Sequence, residues 1–369
     1  MVLLATLLLV VLYLFFALLV WWLHRLPWHK QDQTIRPLVS VIIAGRNEAE
    51  QLPACLAALA QLTYSTEKLE ILLVDDASQD HSHSLLAAFA ERMPHSRVLT
   101  LTRAEKALTG KAGAVLPAIE QSKGEIIFIT DADCQVPPSW IESHLHFFTP
   151  EVGMVGGLTL LEPEPTDAGL FQQVQSLDWI YLQTVASASA RLGKPLSWMG
   201  NNLAFRRLAY DQVGGYRALE HGLIEDFSLL NAISRQSAWR IVLHTEPAAI
   251  VKSRPEKNWR RWYWQRKRWA LGIRPVRLIG KLLMLVTFLT HMLVLWYAVS
   301  WQPTGWMVLL AILLGDTIIL YTGVKKFDQN QWLKGIPGFE LYYFFYILVM
   351  PALFCLKKKI VWKNEVYSA

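Results

Sequence analysis

The stretch Leu38-Val39-Ser40-Val41-Ile42-Ile43-Ala44-Gly45-Arg46-Asn47-Glu48 is an apolar run that stops abruptly in small, polar and charged residues. Residues 38–43 scarcely alternate, so they read as a strand buried on both faces, as parallel sheets require. The same figure recurs downstream. Residues 69–74 run into Asp75-Asp76-Ala77-Ser78, and residues 126–129 into Thr130-Asp131-Ala132-Asp133, with a further apolar run at 98–101. Helical patterns near 48–60, 80–92 and 111–121 separate these runs. Strand and helix in alternation predict a doubly wound, parallel α/β sheet.

Ligands of such sheets bind outside the carboxyl ends of the strands. The residues at those ends are Glu48, Asp75, Asp76, Asp131 and Asp133. One aspartate there serves equally well as a helix cap. Several at one edge suit a hard divalent cation, Mg2+ or Mn2+, which takes oxygen ligands from one or two carboxylates and from substrate phosphates. His81, His83, His144 and His146 are spaced in pairs without a further ligand set, and read as solvated surface histidines. Cys55, Cys134 and Cys355 lie far apart in sequence, so neither a disulfide framework nor a cysteine-rich zinc site is expected.

Apolar residues make up 53% of the 369-residue chain and charged ones 18%, against roughly 45–50% and about 25% in soluble domains. That excludes a disordered chain and points to membrane segments. Residues 1–23 carry no charge and are long enough for an uncleaved anchor. Further spans are expected at 279–299 and 305–323. A segment at 339–356, interrupted by Pro351, is either transmembrane or re-entrant. Asp316 and His291 fall inside apparent spans, where ionisable groups mark either function or contacts between helices.

The net charge of +6 is unevenly distributed. Residues 252–281 hold eleven Lys or Arg against one acid, Glu256, together with four of the sixteen tryptophans. Such a stretch suits anionic headgroups at a membrane surface. Nucleic acid is the weaker reading, because the stretch abuts a span.

The motifs resemble those of family-2 glycosyltransferases. The matching pieces are Val41 to Glu48, Val74-Asp75-Asp76-Ala77-Ser78-Gln79-Asp80, Gly110-Lys111-Ala112-Gly113-Ala114 and Asp131-Ala132-Asp133. They continue with Arg206-Arg207, Gly214-Gly215-Tyr216, Glu225-Asp226, and Gln265-Arg266-Lys267-Arg268-Trp269, which fits a QxxRW pattern. The resemblance covers about residues 38–270. It implies a GT-A (Rossmann-like) nucleotide-sugar domain with transmembrane helices on both sides. The chain would then divide into an anchor (1–23), a linker (24–37), a cytoplasmic catalytic domain (38–251), a basic, tryptophan-rich interfacial segment (252–278) and the C-terminal spans.

The resemblance also implies roles. Asp76 would contact the base of the nucleotide, with Ala44, Arg46 and Glu48 lining the same pocket. Lys111 and Asp131 would hold the ribose and diphosphate, and Asp133 the Mg2+ or Mn2+ ion. Asp226, beside Glu225, would be the catalytic base. Gln265, Arg268 and Trp269 would cover the diphosphate and acceptor. Ile224 and the segment Trp198-Met199-Gly200-Asn201-Asn202 depart from the family pattern, which bears on the acceptor more than on the donor. The expected activity is inverting transfer of a sugar, first of all from a UDP-sugar, to a lipid or glycan acceptor at the bacterial inner membrane. A processive polysaccharide synthase is the alternative, and a non-catalytic nucleotide-sugar-binding protein a further one.

Orientation follows from Arg25 and Lys30 after the first span, set against an N-terminus with neither Lys nor Arg. Single cysteines introduced through 24–278 should react only with membrane-permeant thiol reagents in intact cells, which places this region in the cytoplasm. Labelling by an impermeant reagent would reverse the orientation.

Overall fold

A computed structural model describes residues 2–31, 36–102, 106–163, 169–219, 224–272, 276–355, 359–362 and 365–368. Gly222, ahead of the Glu225-Asp226 pair, and Lys357 and Lys358 after the last helix lie outside the described residues. The chain divides into two compact units. One comprises Trp28–Glu162 and Ser197–Arg254, and the other Met1–Pro27, Pro163–Leu196 and Pro255–Ala369. The stretch 163–196, inside the expected 38–251 domain, thus groups with the apolar helices.

The first unit is the α/β layer. Its strands are β1 (Val39–Gly45), β2 (Leu69–Asp76), β3 (Ser96–Leu101), β4 (Ile126–Asp131), β5 (Val152–Gly156), β6 (Thr159–Leu161), β7 (Leu203–Arg206), β8 (Arg240–Leu243) and β9 (Val251–Ser253). Seven of them form one sheet in the order β3-β2-β1-β4-β7-β5-β8. β1 pairs in parallel with both β2 and β4, and β7 runs antiparallel between β4 and β5. β6 and β9 make a separate parallel pair. The apolar runs of β1 and β4 are buried almost throughout, because helices Leu52–Leu59, Ser82–Arg92 and Gly110–Gln121 alternate with the parallel strands. The chain winds outward from β1 through β2 to β3, then returns to β4 on the other side of β1. That reversal is the topological switch point at which open α/β sheets bind ligands.

Arg206 and Arg207 fasten this layer. Arg206 donates to the carbonyls of Val152, Phe148 and Thr149 at 2.8–3.0 Å. Arg207 donates to the carbonyls of Gly124, Ile119 and Ser122, satisfying the orphan carbonyls at the end of the Gly110–Gln121 helix.

The second unit is helical. Val2–Leu23, Leu278–Val299 and Thr304–Lys326 are long and apolar enough to cross a membrane. Helices Leu170–Arg191, Trp259–Gly272 and Ile336–Cys355 complete it, with a short antiparallel pair, β10 (Lys359–Trp362) and β11 (Glu365–Ser368). The described part of the 339–356 segment lies in one 20-residue helix, Ile336–Cys355, that runs through Pro351. Asp316 faces inward and is fully buried. Its Oδ1 accepts hydrogen bonds from Tyr13 at 2.5 Å and Tyr181 at 2.8 Å.

One histidine expectation is corrected. His144 is not a surface residue but fully buried, its Nδ1 3.0 Å from the Trp140 carbonyl and its ring 4.7 Å from that of buried His244. Burial, only partly offset by contacts to Trp140 and Asn202, lowers the pKa of His144 from 6.5 to about 4. Burial, helped by His144 and Lys30, lowers that of His244 as well. Both rings are neutral when folded and become protonated in the unfolded chain below about pH 6.5. Their contribution to stability is therefore complete above that pH and is lost on acidification toward pH 4, by roughly 3 kcal/mol for His144. The unfolding midpoint of the detergent-solubilised protein should fall across this window, and His144→Gln should flatten the dependence.

Candidate active site

The carboxyl ends of β1, β2 and β4 lie side by side, with Ala44 opposite both Val74 and Asp131, and Gly45 opposite Asp75. Gly45 is close-packed: a Cβ there would stand 2.8 Å from the Cβ of Ala132. The loops after β1 and β2 are stitched to each other. Asn47 N donates to Ser78 Oγ at 3.0 Å, Gln79 N to Asn47 Oδ1 at 2.8 Å, Glu48 N to Ser82 Oγ at 2.9 Å and Ala49 N to Asp80 Oδ2 at 3.1 Å. Asn47 and Ala77 both take left-handed backbone conformations, with φ of 54° and 55°. For alanine this costs about 1–2 kcal/mol, and strain of this kind clusters at functional loops.

The acids at this edge divide the work. Asp75 is buried and holds its own turn, accepting from Ser78 N at 3.2 Å and lying 3.3 Å from His83 Nδ1. It therefore drops out of the accessible set. Asp76 receives both of its hydrogen bonds from Lys106 Nζ, at 2.8 and 2.9 Å. Lys106 was not among the expected site residues. The signal was available: it follows the carboxyl end of β3, which lies on the same edge as the other strand ends.

Lys111, in the first turn of the Gly110–Gln121 helix, is the hub. Its ammonium pairs with Asp131 and lies 3.5 Å from Glu225 Oε1, and its side chain is only 17% exposed. Burial alone would lower its pKa, but Asp131, Glu225 and Asp226 together outweigh burial and hold it above the ordinary lysine value. Lys111 thus ties the end of β4 to the helix Glu225–Gln236, whose first turn carries Glu225 and Asp226. Asp226 Oδ1 accepts from Phe227 N at 2.7 Å. Both acids also gain from the positive end of that helix, so the helix-start and active-site readings coincide.

Segment 198–202 supports Asp226 from below. A Cβ on Gly200 would run into the Asp226 carboxylate, so only glycine lets the two approach. The segment is clamped immediately after that point. Asn201 O accepts from Thr130 Oγ1, and Asn201 Oδ1 from Thr159 Oγ1, both at 2.8 Å. Asn202 accepts from Trp140 Nε1 at 2.8 Å and donates to the carbonyls of Leu158 and Ala249. The sequence match of this segment lay only in Gly200, yet its two asparagines do the anchoring.

Among the described residues no three His, Cys, Asp or Glu side chains gather into a self-sufficient metal site. The donor set at the switch point is carboxylate oxygen. Asp131 is engaged by Lys111, and Asp133 stands two residues on, its Oδ1 3.4 Å from Cys134 Sγ. Such a set fits a hard cation that arrives with the phosphate oxygens of a substrate. Ala44, Arg46 and Glu48 are half-buried around the same strand end.

Gln265, Arg268 and Trp269 belong to the helical unit, on Trp259–Gly272. There Gln265 Nε2 donates to Glu256 Oε1 at 3.2 Å, and the Trp269 ring lies 5.7 Å from that of Trp179.

Comparison with known proteins identifies the family and the fold. The family model of glycosyl transferase family 21 matches residues 2–369. Similar proteins include the probable glycosyltransferase YdaM of Bacillus subtilis, 26% identical over 68% of this chain and 58% of that protein. Another is the beta-monoglucosyldiacylglycerol synthase of Trichormus variabilis, 28% identical over 66% of this chain and 51% of that one. The chain thus spans about half the length of these relatives. Among solved structures, the mannosyltransferase PcManGT of Pyrobaculum calidifontis, in complex with GDP-Man and Mn2+, matches with a TM-score of 0.57 over 95% of both chains at 20% identity. The fold is accordingly GT-A, with long apolar helices before and after the α/β layer. The family model is that of family 21, so the resemblance to family 2 holds at the level of the shared domain.

Lys111→Met removes the one cation shared by Asp131 and Glu225 and leaves two carboxylates facing each other. It should lower the unfolding free energy by about 2 kcal/mol, between the scales of exposed and buried pairs, because the Asp131 side chain is 35% exposed. Adding Asp131→Asn and Glu225→Gln should recover most of that loss. Denaturant unfolding of the two variants compares the outcomes.

Proposed function

The chain belongs to glycosyl transferase family 21, and on that premise we propose that it is a membrane-anchored, inverting, metal-dependent glycosyltransferase. The donor is a nucleotide-diphosphate sugar, a UDP-sugar in the first place and a GDP-sugar in the second. The acceptor is a lipid presented at the cytoplasmic face. The observation that carries this reading is the Lys111 hub, which draws Asp131, Glu225 and Asp226 toward one ammonium at the switch point of the sheet. The three apolar helices and the lipid product in the name of one relative support a membrane-borne acceptor.

In this reading Asp76 meets the base of the nucleotide, and Lys106 is its counter-ion until the donor binds. Asp131 and Lys111 lie along the ribose and diphosphate. Asp133 is the residue that would hold Mg2+ or Mn2+, whose chemistry is to neutralise charge on the departing diphosphate. Lys111 stays protonated and offers a fixed positive charge beside the same leaving group.

Asp226 takes the proton of the acceptor hydroxyl as that oxygen forms its bond to the anomeric carbon and the nucleoside diphosphate leaves from the opposite side. A single base working opposite the leaving group inverts the centre, by analogy with inverting glycosidases. Gly200 keeps the backbone clear of the Asp226 carboxylate. Gln265, Arg268 and Trp269 take part in diphosphate and acceptor recognition.

The test is a screen of UDP- and GDP-sugars with purified protein in lipid nanodiscs, following nucleotide release and label extracted into organic solvent. EDTA should abolish transfer, and Mg2+ or Mn2+ should restore it. Asp226→Asn should keep nucleotide binding while transfer falls by roughly 10²-fold or more, the scale of lost general-base catalysis. Full activity in EDTA, or normal turnover of Asp226→Asn, overturns the mechanism. Label held in a long polymer makes the protein a processive synthase instead.

A further inference from the structure

The most buried side chain of the Trp259–Gly272 helix is one that the QxxRW pattern leaves unspecified. Arg266 is fully buried, and its Nη2 lies 2.6 Å from Oδ2 of Asp178, which is fully buried too. Tyr342 donates its hydroxyl to the same Oδ2 at 3.0 Å. The Arg266 guanidinium lies over the Trp269 ring at 4.4 Å, with the rings of Trp262 and Tyr346 both at 5.7 Å. Burial alone would weaken its hold on a proton, but Asp178 more than compensates. Burial also raises the pKa of Asp178, against the opposing pull of Arg266 and Tyr342, and the 2.6 Å approach of the two groups is that of an ion pair.

This pair sits in the middle of a longer contact between two helices. Phe171, Gln175, Asp178 and Trp179 lie on one face of Leu170–Arg191, at helical spacing. The Phe171 ring lies 4.0 Å from that of Trp259. Gln175 Oε1 accepts from Glu256 N at 2.9 Å and its Nε2 donates to Glu256 O at 3.1 Å, while Glu256 Oε1 accepts from Gln265. Trp179 meets Trp269. The ring contacts are not directional and tolerate a helix that rolls about its own axis. A guanidinium held 2.6 Å from a fully buried carboxylate resists the roll, because moving off that carboxylate separates two charges with no water to replace the contact. Arg266 is next to Gln265 and within one turn of Arg268 and Trp269, so its setting fixes theirs.

We propose that Asp178 and Arg266 are positioning residues for sugar transfer. Their buried pair sets the rotation of the helix that carries Gln265, Arg268 and Trp269, and neither residue touches substrate. The inference rests on the role given above to that segment. It also accounts for two charges kept out of water, since a buried ion pair is seldom more stable than apolar residues of the same volume.

The test uses the full-length protein in nanodiscs with Asp178→Asn, Arg266→Lys and the double variant Asp178→Leu/Arg266→Met. Rates are expressed per molecule able to bind UDP with Mg2+, which corrects for any unfolded fraction. UDP binding should persist in all three, weakened only by the share of it that the diphosphate contacts of the displaced helix supply. Transfer should fall about tenfold to hundredfold, the scale of small misplacements at a reacting centre, with the loss in kcat and in acceptor KM larger than the change in donor KM. Lysine keeps the charge but lacks the flat guanidinium that lies over the Trp269 ring, so Arg266→Lys should not rescue. The double variant leaves no buried unpaired charge, and should melt like the parent yet remain slow.

A double variant that transfers at the parental rate, or an Arg266→Lys protein with normal kinetics, reduces the pair to a structural role and overturns the inference. A parent protein that releases nucleotide from no donor overturns the functional reading and this inference together. An active parent with normal variants overturns this inference alone.

Discussion

Parallel strands that end at one edge bring their terminal residues together, and here Glu48, Asp75, Asp76, Asp131 and Asp133 make that edge acidic. The α/β unit therefore has to hold like charges a few ångströms apart in a partly desolvated place. It does so with two lysines used differently. Lys106 closes on Asp76 with two hydrogen bonds, a local neutralisation between neighbouring strand ends. Lys111 is shared between β4 and the Glu225–Gln236 helix, so one ammonium joins two elements about a hundred residues apart in sequence. The positions of Asp131, Glu225 and Asp226 relative to one another follow from that sharing, as does the room Gly200 must leave. Carboxylate oxygens gathered in this way are the donors that a hard cation arriving with phosphate oxygens requires.

The helical unit meets the opposite constraint. In a lipid-facing bundle a polar group without a partner finds no water to replace it. Asp316 is covered by the hydroxyls of Tyr13 and Tyr181, from two other helices. Thr6 and Tyr297 bond each other at 2.8 Å between the first and second apolar helices. Asp178 and Arg266 solve the same problem with full charges, and removing one partner of such a pair costs about 3–5 kcal/mol. Each of these contacts joins different helices, and the hydrogen bonds of Asp316 and of Thr6 with Tyr297 are directional. They select one packing among the many that apolar surfaces alone would accept.

Much of this was legible along the chain, for a physical reason. A strand buried on both faces must be apolar at every position, and a helix that crosses a membrane must be apolar for about twenty residues. Both conditions are local, so 38–43, 126–129 and the three spans stand close to where the structure has them. The strand ends that carry Asp76 and Asp131 were located by those same local patterns, whereas Lys111, Glu225 and Asp226 were singled out by the resemblance; the structure brings Lys111, Asp131 and Glu225 together. Local patterns do not report burial of an isolated polar residue. His144 reads as a surface histidine and is in the core, and Asp75 reads as one of the accessible acids and is spent on its own turn.

The amino-acid sequence by itself determined the alternation of strands and helices, the apolar spans, and the acids that collect at the carboxyl edge, because backbone periodicity and solvent exposure act between near neighbours. Only the tertiary structure decided which cation answers which acid. Lys106 takes Asp76 across 30 residues, Lys111 takes Asp131 and Glu225, and Arg266 takes Asp178 across 88 residues. It also decided that 163–196 packs with the apolar helices rather than with the sheet that surrounds it in sequence. These choices depend on where the chain path brings side chains within a few ångströms, and on which charges lose their water there, and neither is encoded by residues adjacent in sequence.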